Sequence, residues 1–495
     1  MNNLIALYIL LPLGAALLAL PLQRFNRNAP ALLCGLATLY LFVQTIVLYF
    51  FRPYNFILLC RWGGVTSPLG FNLVLDGFSH LMLLAVSLVA LAVTVYSFPY
   101  LQKYAGRGKY YTLYLLLLAG MGGVVLAGDL FNLFLYMEVA ALSTYALVAF
   151  GTGAEELEAA LRYLIIGSVA SLLILIGMGL IYGLTGTFNL AQIARTFPAD
   201  ATYAKAFISA LFLIGFGMKA ALMPFHAWLP DAHSAAPTPV SATLSGVLVK
   251  ALGVYVLVRL FYNVLGLTPH LSFALTLLGV ISLLAGDLLA LTQTDFKRLL
   301  AYSTIGQIGF MIVGFSLATP LGLMGALFHL FNHAIFKPLL FMNAGVVETA
   351  TGTRQLDQLG GLGKKMPLTA LTNLVGSLSI SGLPPFNGFW SKLFIIVACV
   401  QAGRRWTAFA LVIGAIITLA NFVRLQKLAF NGPLPERLAE VKEAAWPMTA
   451  ATAALALLCL LIGLGFPLVV NFVINPAVVA LANGRGYGQM IIGAL

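Results

Sequence analysis

Charge is what this chain has least of. Only 8% of its 495 residues are charged and 61% are hydrophobic, whereas a soluble domain carries ~25% charged side chains. Too few polar groups exist to cover a soluble globule with a large core, so the composition implies a polytopic membrane protein. Acids are scarcer than bases, 15 against 27, for a net charge of +12. On a soluble domain that excess would point to nucleic acid. Here the bases fall in short segments between apolar runs, the bias that membrane topology imposes, and no nucleic-acid partner is implied. Four cysteines, Cys34, Cys60, Cys399 and Cys459, lie far apart. With no CxxC or Cys/His spacing they imply neither an iron–sulfur cluster nor zinc, and they read as small apolar fillers. No GxxxxGK[ST] phosphate loop occurs, so ATP hydrolysis is unsupported. No Ser–His–Asp spacing stands out either. No cofactor and no metal are expected. Long polar stretches are also missing. The longest, 349–366 and 432–446, are too short to fold alone, so 1–495 reads as a single transmembrane domain.

What is abundant is apolar sequence. A helix needs ~20 apolar residues to cross the hydrocarbon core. Such runs centre near residues 13, 40, 88, 118, 140, 172, 214, 251, 282, 307, 334, 382, 415 and 460, about 14 spans in an all-α polytopic fold. The first, Leu4–Leu20, lacks a basic flank and reads as a spanning helix rather than a cleaved signal. The runs near 214 and 382 contain Pro224 and Pro384–Pro385. Proline removes a backbone donor and clashes with the preceding turn, so both helices are expected to be broken. With the N-terminus outside, alternate loops facing the cytoplasm carry Arg24, Arg27, Lys103, Arg107, Lys109, Lys297, Arg298, Arg354, Lys364, Lys365, Arg424, Lys427, Arg437 and Lys442. The opposite loops carry fewer, namely Arg52, Arg61, Arg195, Lys205, Arg259, Arg404 and Arg405. That asymmetry places both termini on the non-cytoplasmic side of the cell inner (cytoplasmic) membrane.

The chain echoes itself. "AGDL" occurs at 127–130 and 285–288, "AALSTYALVAF" at 140–150 resembles "LLAYSTIGQIGF" at 299–310, and "MPFHAW" at 223–228 resembles "PPFNGFW" at 384–390. The offsets of 158 to 161 residues cover about five helices, and an odd number inverts the second copy. Inverted repeats with broken helices near the midplane are a transporter architecture.

The few charges inside the apolar runs are the functional candidates. Glu138 sits mid-run in "GDLFNLFLYMEVAALSTYALVAFG", Lys219 just before Pro224, Lys250 at the centre of "SGVLVKALGVYVL", and Lys392 just after the second break. His329, His333 and Lys337 follow one another at i, i+4 and i+8, one stripe of one helix. A charge at mid-membrane costs roughly 2.5–3.5 kcal/mol on insertion scales. A structural ion pair would justify one lysine, but the lysines outnumber the one obvious acid, Glu138. Lysines that can exchange protons, with histidines between them, suit a proton relay, because imidazole accepts at one nitrogen while donating from the other. Arg162, four residues after Glu158, reads equally as an interfacial anchor or as part of an access route. His226, Asp231 and His233 are placed in the loop after the first break, for capping or proton exit rather than metal. Asp129 and Asp295 precede helical runs and read as N-caps.

These residues carry a resemblance. "KAALMPFHAWLPDAHSAAPTPVSATLSGVLVKALGVY", "DFKRLLAYSTIGQIGF" and "HLFNHAIFKPLLFMNAG" resemble the antiporter-like subunits of NADH:quinone oxidoreductase (complex I), Mrp-type cation/proton antiporters and membrane-bound hydrogenases. The likeness covers nearly the whole chain. "GDLFNLFLYMEV", the lysine at 392 and the lack of a long C-terminal lateral helix look most like the D-type Mrp subunit. The resemblance implies fourteen helices with two inverted five-helix repeats, helices 4–8 (approximately 110–262) and 9–13 (approximately 271–427), helices 7 and 12 being broken. It implies that Glu138 and Lys219 form a gating pair. It further implies that a proton released from Lys219 passes to Lys250 and through His329, His333 and Lys337 to Lys392, along a hydrated axis in the membrane plane. Arg162 stands at the sixth-helix basic position, where arginine cannot readily release a proton. The partners implied are neighbouring antiporter-like and small helical subunits, the bilayer, and protons or sodium. Three readings stay open: a redox-driven translocating subunit, an Mrp-type sodium/proton antiporter subunit driven by the gradient itself, and a non-transporting scaffold.

Overall fold

The computed structural model describes residues 2–50, 56–62 and 71–494. Arg52 lies outside them, as does the side chain of Arg61. Helices α1 (Leu7–Gln23) and α2 (Ala29–Phe50) lead into an antiparallel hairpin of β1 (Leu58–Trp62) and β2 (Phe71–Leu75). The hairpin corrects the all-α expectation. Its strands are five residues each, too short to cross a membrane and paired so that their backbone polar groups find partners. Asp76 ends β2 and caps α3 (Gly77–Tyr100) through a reciprocal pair of bonds with Ser79. There follow α4 (Arg107–Leu126), α5 (Leu130–Val148), α6 (Ala154–Thr185), α7 (Leu190–Thr196), α8 (Thr202–Lys219), α9 (Trp228–Ala235), α10 (Thr238–Val264) and α11 (Pro269–Leu291). The remainder is α12 (Phe296–Ser316), α13 (Pro320–Thr351), α14 (Pro367–Ser381), α15 (Asn387–Gln401), α16 (Arg405–Ala429) and α17 (Trp446–Leu464), then α18 (Phe466–Ala482) bent by 92° against α19 (Gly484–Ile492).

Among the described residues 12 helices are long and apolar enough to cross a membrane, or 13 if the bent pair is one span, so the protein is a multi-pass membrane protein. Each anticipated apolar centre falls inside a helix except residue 382, which falls on a break. No span is anticipated beyond residue 464, because Pro467, Pro476 and Gly484 interrupt the apolar run. The chain nonetheless forms α18 there, with a π-helical turn over Val470–Ile474 preceding Pro476.

Both breaks satisfy their own backbone. Helix α8 stops at Lys219, and Ala221 turns the chain with φ of 54°. The Leu222 amide bonds back to the Gly217 carbonyl, the Trp228 indole donates to the Met218 carbonyl at 3.0 Å, and the Met223 amide donates to Ser282 Oγ at 2.9 Å. Helix α14 stops at Ser381, where Gly382 takes φ of 80°. Beyond it the Asn387 carbonyl accepts from Asn332 on α13 at 2.9 Å. Irregular backbone at membrane depth persists only where protein covers it or water reaches it, and these bonds supply that cover.

Two corners repeat each other in atomic detail. In "TGTFNLAQ" (185–192) and "TGTRQLDQ" (351–358), 166 residues apart, a C-capping glycine has φ of 68° or 72°. The first threonine bonds back to its helix, and the second donates to a glutamine, Gln192 or Gln358. Asn189 and Gln355 pair with Asp129 and Asp295, which cap α5 and α12 as anticipated.

Burial divides the helices into two tiers. Over their most apolar windows α10 and α13 are 100% buried and α12 is 94% buried, whereas α2 is 33% and α6 and α16 are each 39% buried. The outer helices present leucine and isoleucine to lipid, and the inner ones are free to carry polar side chains. The helix pair α11–α12 shows how tightly the inner tier closes. A Cβ on Gly309 would lie 2.5 Å from the Gly279 carbonyl, and one on Gly286 would lie 2.7 Å from the Gly306 amide. Small residues are what let membrane helices approach this far. Two bases counted as loop cations are in fact buried. Lys297, the second residue of α12, donates to the Ala236 carbonyl at 2.8 Å. Arg259 is held by Asp76 through both carboxylate oxygens, at 2.6 and 2.7 Å.

Candidate functional site

Glu138 projects from α5 and Lys219 is the last residue of α8. Lys219 Nζ lies 3.5 Å from Glu138 Oε1, the lysine side chain being 3% exposed and the glutamate 28%. Ser171 on α6 donates to the same oxygen at 2.6 Å. The ammonium also sits where the carbonyls of α8 point, a helix end that favours a cation. The acid is therefore shared by a neutral donor and a charged one, and the charged contact is the longer of the two.

Lys250 is fully buried in α10. Its ammonium donates to the Ser245 carbonyl, and no carboxylate pairs with it among the described residues. The helix around it is wound as π-turns over Leu244–Leu248 and Lys250–Tyr255, a geometry that widens the backbone and recurs at functional sites. Gly253 is the close approach that matters. A Cβ there would lie 2.5 Å from Ala220 Cα, so the turn after Lys250 rests on the first residue of the break that follows Lys219. That contact packs the helix that carries Lys250 against the end of the helix that carries Lys219.

The stripe on α13 lies inside the bundle as the i, i+4, i+8 spacing requires. His329 Nδ1 is 3.0 Å from Ser391 Oγ, neither ring nitrogen of His333 has a hydrogen-bond partner, and Lys337 donates to the Leu300 carbonyl at 2.7 Å and to Ser303 Oγ at 2.5 Å. Lys392 Nζ has no hydrogen-bond partner among the described residues and stands 4.6 Å from the centre of the Phe310 ring. His333 is within electrostatic reach of Lys250, Lys337 and His329, and His329 of Lys250 and Lys392. The structure thus gathers Lys250, His329, His333, Lys337 and Lys392 into one buried cluster, and the Glu138–Lys219 pair stands apart from it, joined through the packing of Gly253 on Ala220.

The peripheral candidates separate. Arg162 is exposed and bonds Glu158 at 2.5 Å and Asp231 at 2.8 Å. It lies on the rim of a polar cavity of about 370 Å³ that Asp231, Asp295, Arg298 and Arg354 also line. His226 stands in the first break, its Nδ1 3.3 Å from the Pro224 carbonyl. His233 does not belong to a loop. With Asp231 it lies in α9, because "WLPDAHSA" carries its proline in the first turn, where a helix tolerates it. His233 is fully buried against the Phe341 ring, within electrostatic reach of Lys250 and Lys337. No group of three or more His, Cys, Asp or Glu among the described residues could hold a metal ion.

Reasoning from sequence missed one acid. Asp287, inside α11, is fully buried, so Glu138 is not the only carboxylate at depth. Its signal was a carboxylate within the apolar run "LLAGDLLAL", masked by its likeness to the capping Asp129.

The chain matches the family described as "NADH:quinone oxidoreductase/Mrp antiporter, TM" over residues 127–418, and "NADH-Ubiquinone oxidoreductase (complex I), chain 5 N-terminus" over 63–111. It is 38% identical over 379 residues to NADH-quinone oxidoreductase subunit N of Desulforudis audaxviator (strain MP104C), covering 75% of each chain. To the D-type subunit of the Na(+)/H(+) antiporter of Alkalihalophilus pseudofirmus it is 33% identical over 437 residues, 87% of this chain and 88% of the relative. A chain in the solved Mrp complex from Dietzia sp. DQ12-45-1b superposes with a TM-score of 0.91 at 27% identity, over 99% of both chains.

Proposed function

The chain belongs to the NADH:quinone oxidoreductase/Mrp antiporter transmembrane family, and from that premise we propose that it is a proton- or cation/proton-translocating subunit of a multisubunit membrane complex in the cytoplasmic membrane. Protons move through Lys219, gated by Glu138, to Lys250, and through His329, His333 and Lys337 to Lys392. Arg162, His226 and His233 flank that line: Arg162 positions charge at the rim, and the two histidines lie towards a half-channel. In this reading the two broken helices complete a fourteen-helix bundle of two inverted repeats, and both termini lie on the non-cytoplasmic side. The observation that carries the proposal is Lys250, buried without a carboxylate among the described residues. A scaffold would pair such a charge, since leaving one uncompensated costs ~3–5 kcal/mol. A relay keeps it free to give up its proton.

The experiment follows from that contrast. Lys250→Ala complexes are expected to assemble and to lose translocation, read by pH-dye quenching in proteoliposomes. Lys250→Arg fails as well, because arginine holds its proton. Wild-type pumping by assembled Lys250→Ala complexes would overturn the relay. Within the proposal, drive by an ion gradient and drive by a redox partner each have an end-to-end structural relative, a chain of an Mrp complex and a chain of the membrane-bound sulfane sulfur reductase, an archaeal respiratory membrane complex. The subunits that co-purify with the chain decide between the two: small antiporter subunits on one side, dehydrogenase or hydrogenase subunits on the other.

A further inference from the structure

Asp287 is fully buried and lies outside the relay; unlike buried Asp76, which holds Arg259, it has no ion-pair partner among the described residues. Thr418 on α16 donates to its Oδ2 at 2.6 Å, and Oδ1 has no hydrogen-bond partner among the described residues. Asn421, one turn further along α16, holds the Asp287 backbone carbonyl at 2.9 Å. An unpaired oxygen on a fully buried acid calls for a charged neighbour, and α12 shows where that neighbour is. Lys337 donates to Leu300 and Ser303 of α12. The Asp287 carboxylate lies against Gly306, where a Cβ would come within 2.7 Å of Oδ1. Lys392 stands over Phe310. Residues 303, 306 and 310 lie on one face of that helix, and at 1.5 Å rise per residue Gly306 is about 4–5 Å along the axis from Ser303, which Lys337 holds, and about 6 Å from Phe310, under Lys392. Lys337 and Lys392 are also the two titratable groups whose charge it feels.

We propose that Asp287 is the counter-carboxylate of the second half of the path, its free oxygen the acceptor that the ammonium groups of Lys337 and Lys392 approach in turn. Its place rests on the relay reading above, and it does for these two lysines what Glu138 does for Lys219. When Lys392 hands over its proton, an N–H bond at Nζ breaks and an O–H bond forms on Oδ1. The pair passes from one positive and one negative charge to two neutral groups, so no net charge is created in the bilayer. Thr418 keeps Oδ2 occupied, which leaves Oδ1 as the acceptor. Gly306 is bare because any side chain would occupy the space of that oxygen.

The test uses the reconstituted complex. Asp287→Asn is expected to assemble and to lose about 100-fold in translocation rate, the low end for removing a positioned proton carrier, while Asp287→Glu keeps a measurable part. Infrared difference spectra on acidification are expected to show a protonated-carboxyl band that is absent in Asp287→Asn. Lys392→Met displaces the pH at which the band appears, a readout that a merely structural role would not move. If Asp287→Asn does not assemble, Thr418→Val, which keeps the carboxylate but frees Oδ2, is expected to alter that band and the rate together. Wild-type rate and an unchanged band there would overturn the proposal. An Asp287→Asn complex pumping at the wild-type rate beside an inactive Lys250→Ala complex would overturn it too, and would leave the relay standing. Wild-type rates in both variants would remove the relay itself.

Discussion

At the scale of single residues, the proposed gate rests on the geometry of the Glu138–Lys219 contact. At 3.5 Å it is longer than a charge-assisted bond of ~2.7–2.9 Å, so small rearrangements of α8 against α5 make or break it. Glu138→Gln removes the counter-charge and is expected to abolish translocation in assembled complexes. Glu138→Asp, one methylene shorter, leaves the ammonium further out of reach and is expected to retain a reduced rate. Both are read by the same pH-dye assay, and equal rates for Gln and wild type would sink the gating role. The lysines of the cluster were legible in the sequence because a charge inside an apolar run needs no fold to be conspicuous. Asp287 was not, because a carboxylate near the end of an apolar run resembles a helix cap, and only the structure shows that α11 continues to Leu291. Lys297 and Arg259 misled for the converse reason: each lies near a helix end, where bases usually meet water, yet one is tied to a neighbouring carbonyl and the other to Asp76.

At the scale of elements, the inner helices are set by backbone contact. Gly309 and Gly279 meet with no room for a side chain, away from the acid beside Gly306. Overpacking such a contact costs typically ~1–3 kcal/mol. Gly309→Ala is therefore expected to lower the melting temperature of the purified complex while the assembled fraction translocates at the wild-type rate per complex. A loss of rate with no loss of stability would mean that the contact serves movement rather than packing. Pro224 and Pro384–Pro385 made both breaks legible, since proline acts through local backbone chemistry. The hairpin and α18 were not, since short apolar strands and a proline-interrupted helix share composition with loops.

At the scale of the whole molecule, the repeat proposal makes a directional claim. The corners at 185–192 and 351–358 use the same hydrogen bonds, and five crossings between them would set them on opposite faces of the membrane. Single cysteines at Asp200→Cys and Asp357→Cys, in a background without Cys34, Cys60, Cys399 and Cys459, are expected to react with an impermeant maleimide from opposite sides of sealed vesicles. Labelling from one side would overturn the inverted repeat. Part of the echo is visible in the sequence as matches 158 to 161 residues apart, and the corners, 166 apart, are the more faithful copies. They are hard to see in the sequence because the matching glycines and threonines sit in polar connections, away from the conspicuous apolar runs.

Over an 18-residue stretch helix α13 has a mean hydropathy of 1.2, the lowest of the 12 candidate spans among the described residues, and there, like α10, it is fully buried. Its sequence is therefore poorly suited to leave the translocon by itself: a lysine near mid-helix works against partitioning by roughly 2.5–3.5 kcal/mol. Of the helices that wall it in, α3, α10 and α12 precede it in the chain, but α14, α15, α17 and α18 are made after it. During synthesis α13 must wait beside its earlier neighbours, half enclosed, until the later ones arrive. The polarity that the proposed relay asks of this helix thus also imposes an order of assembly.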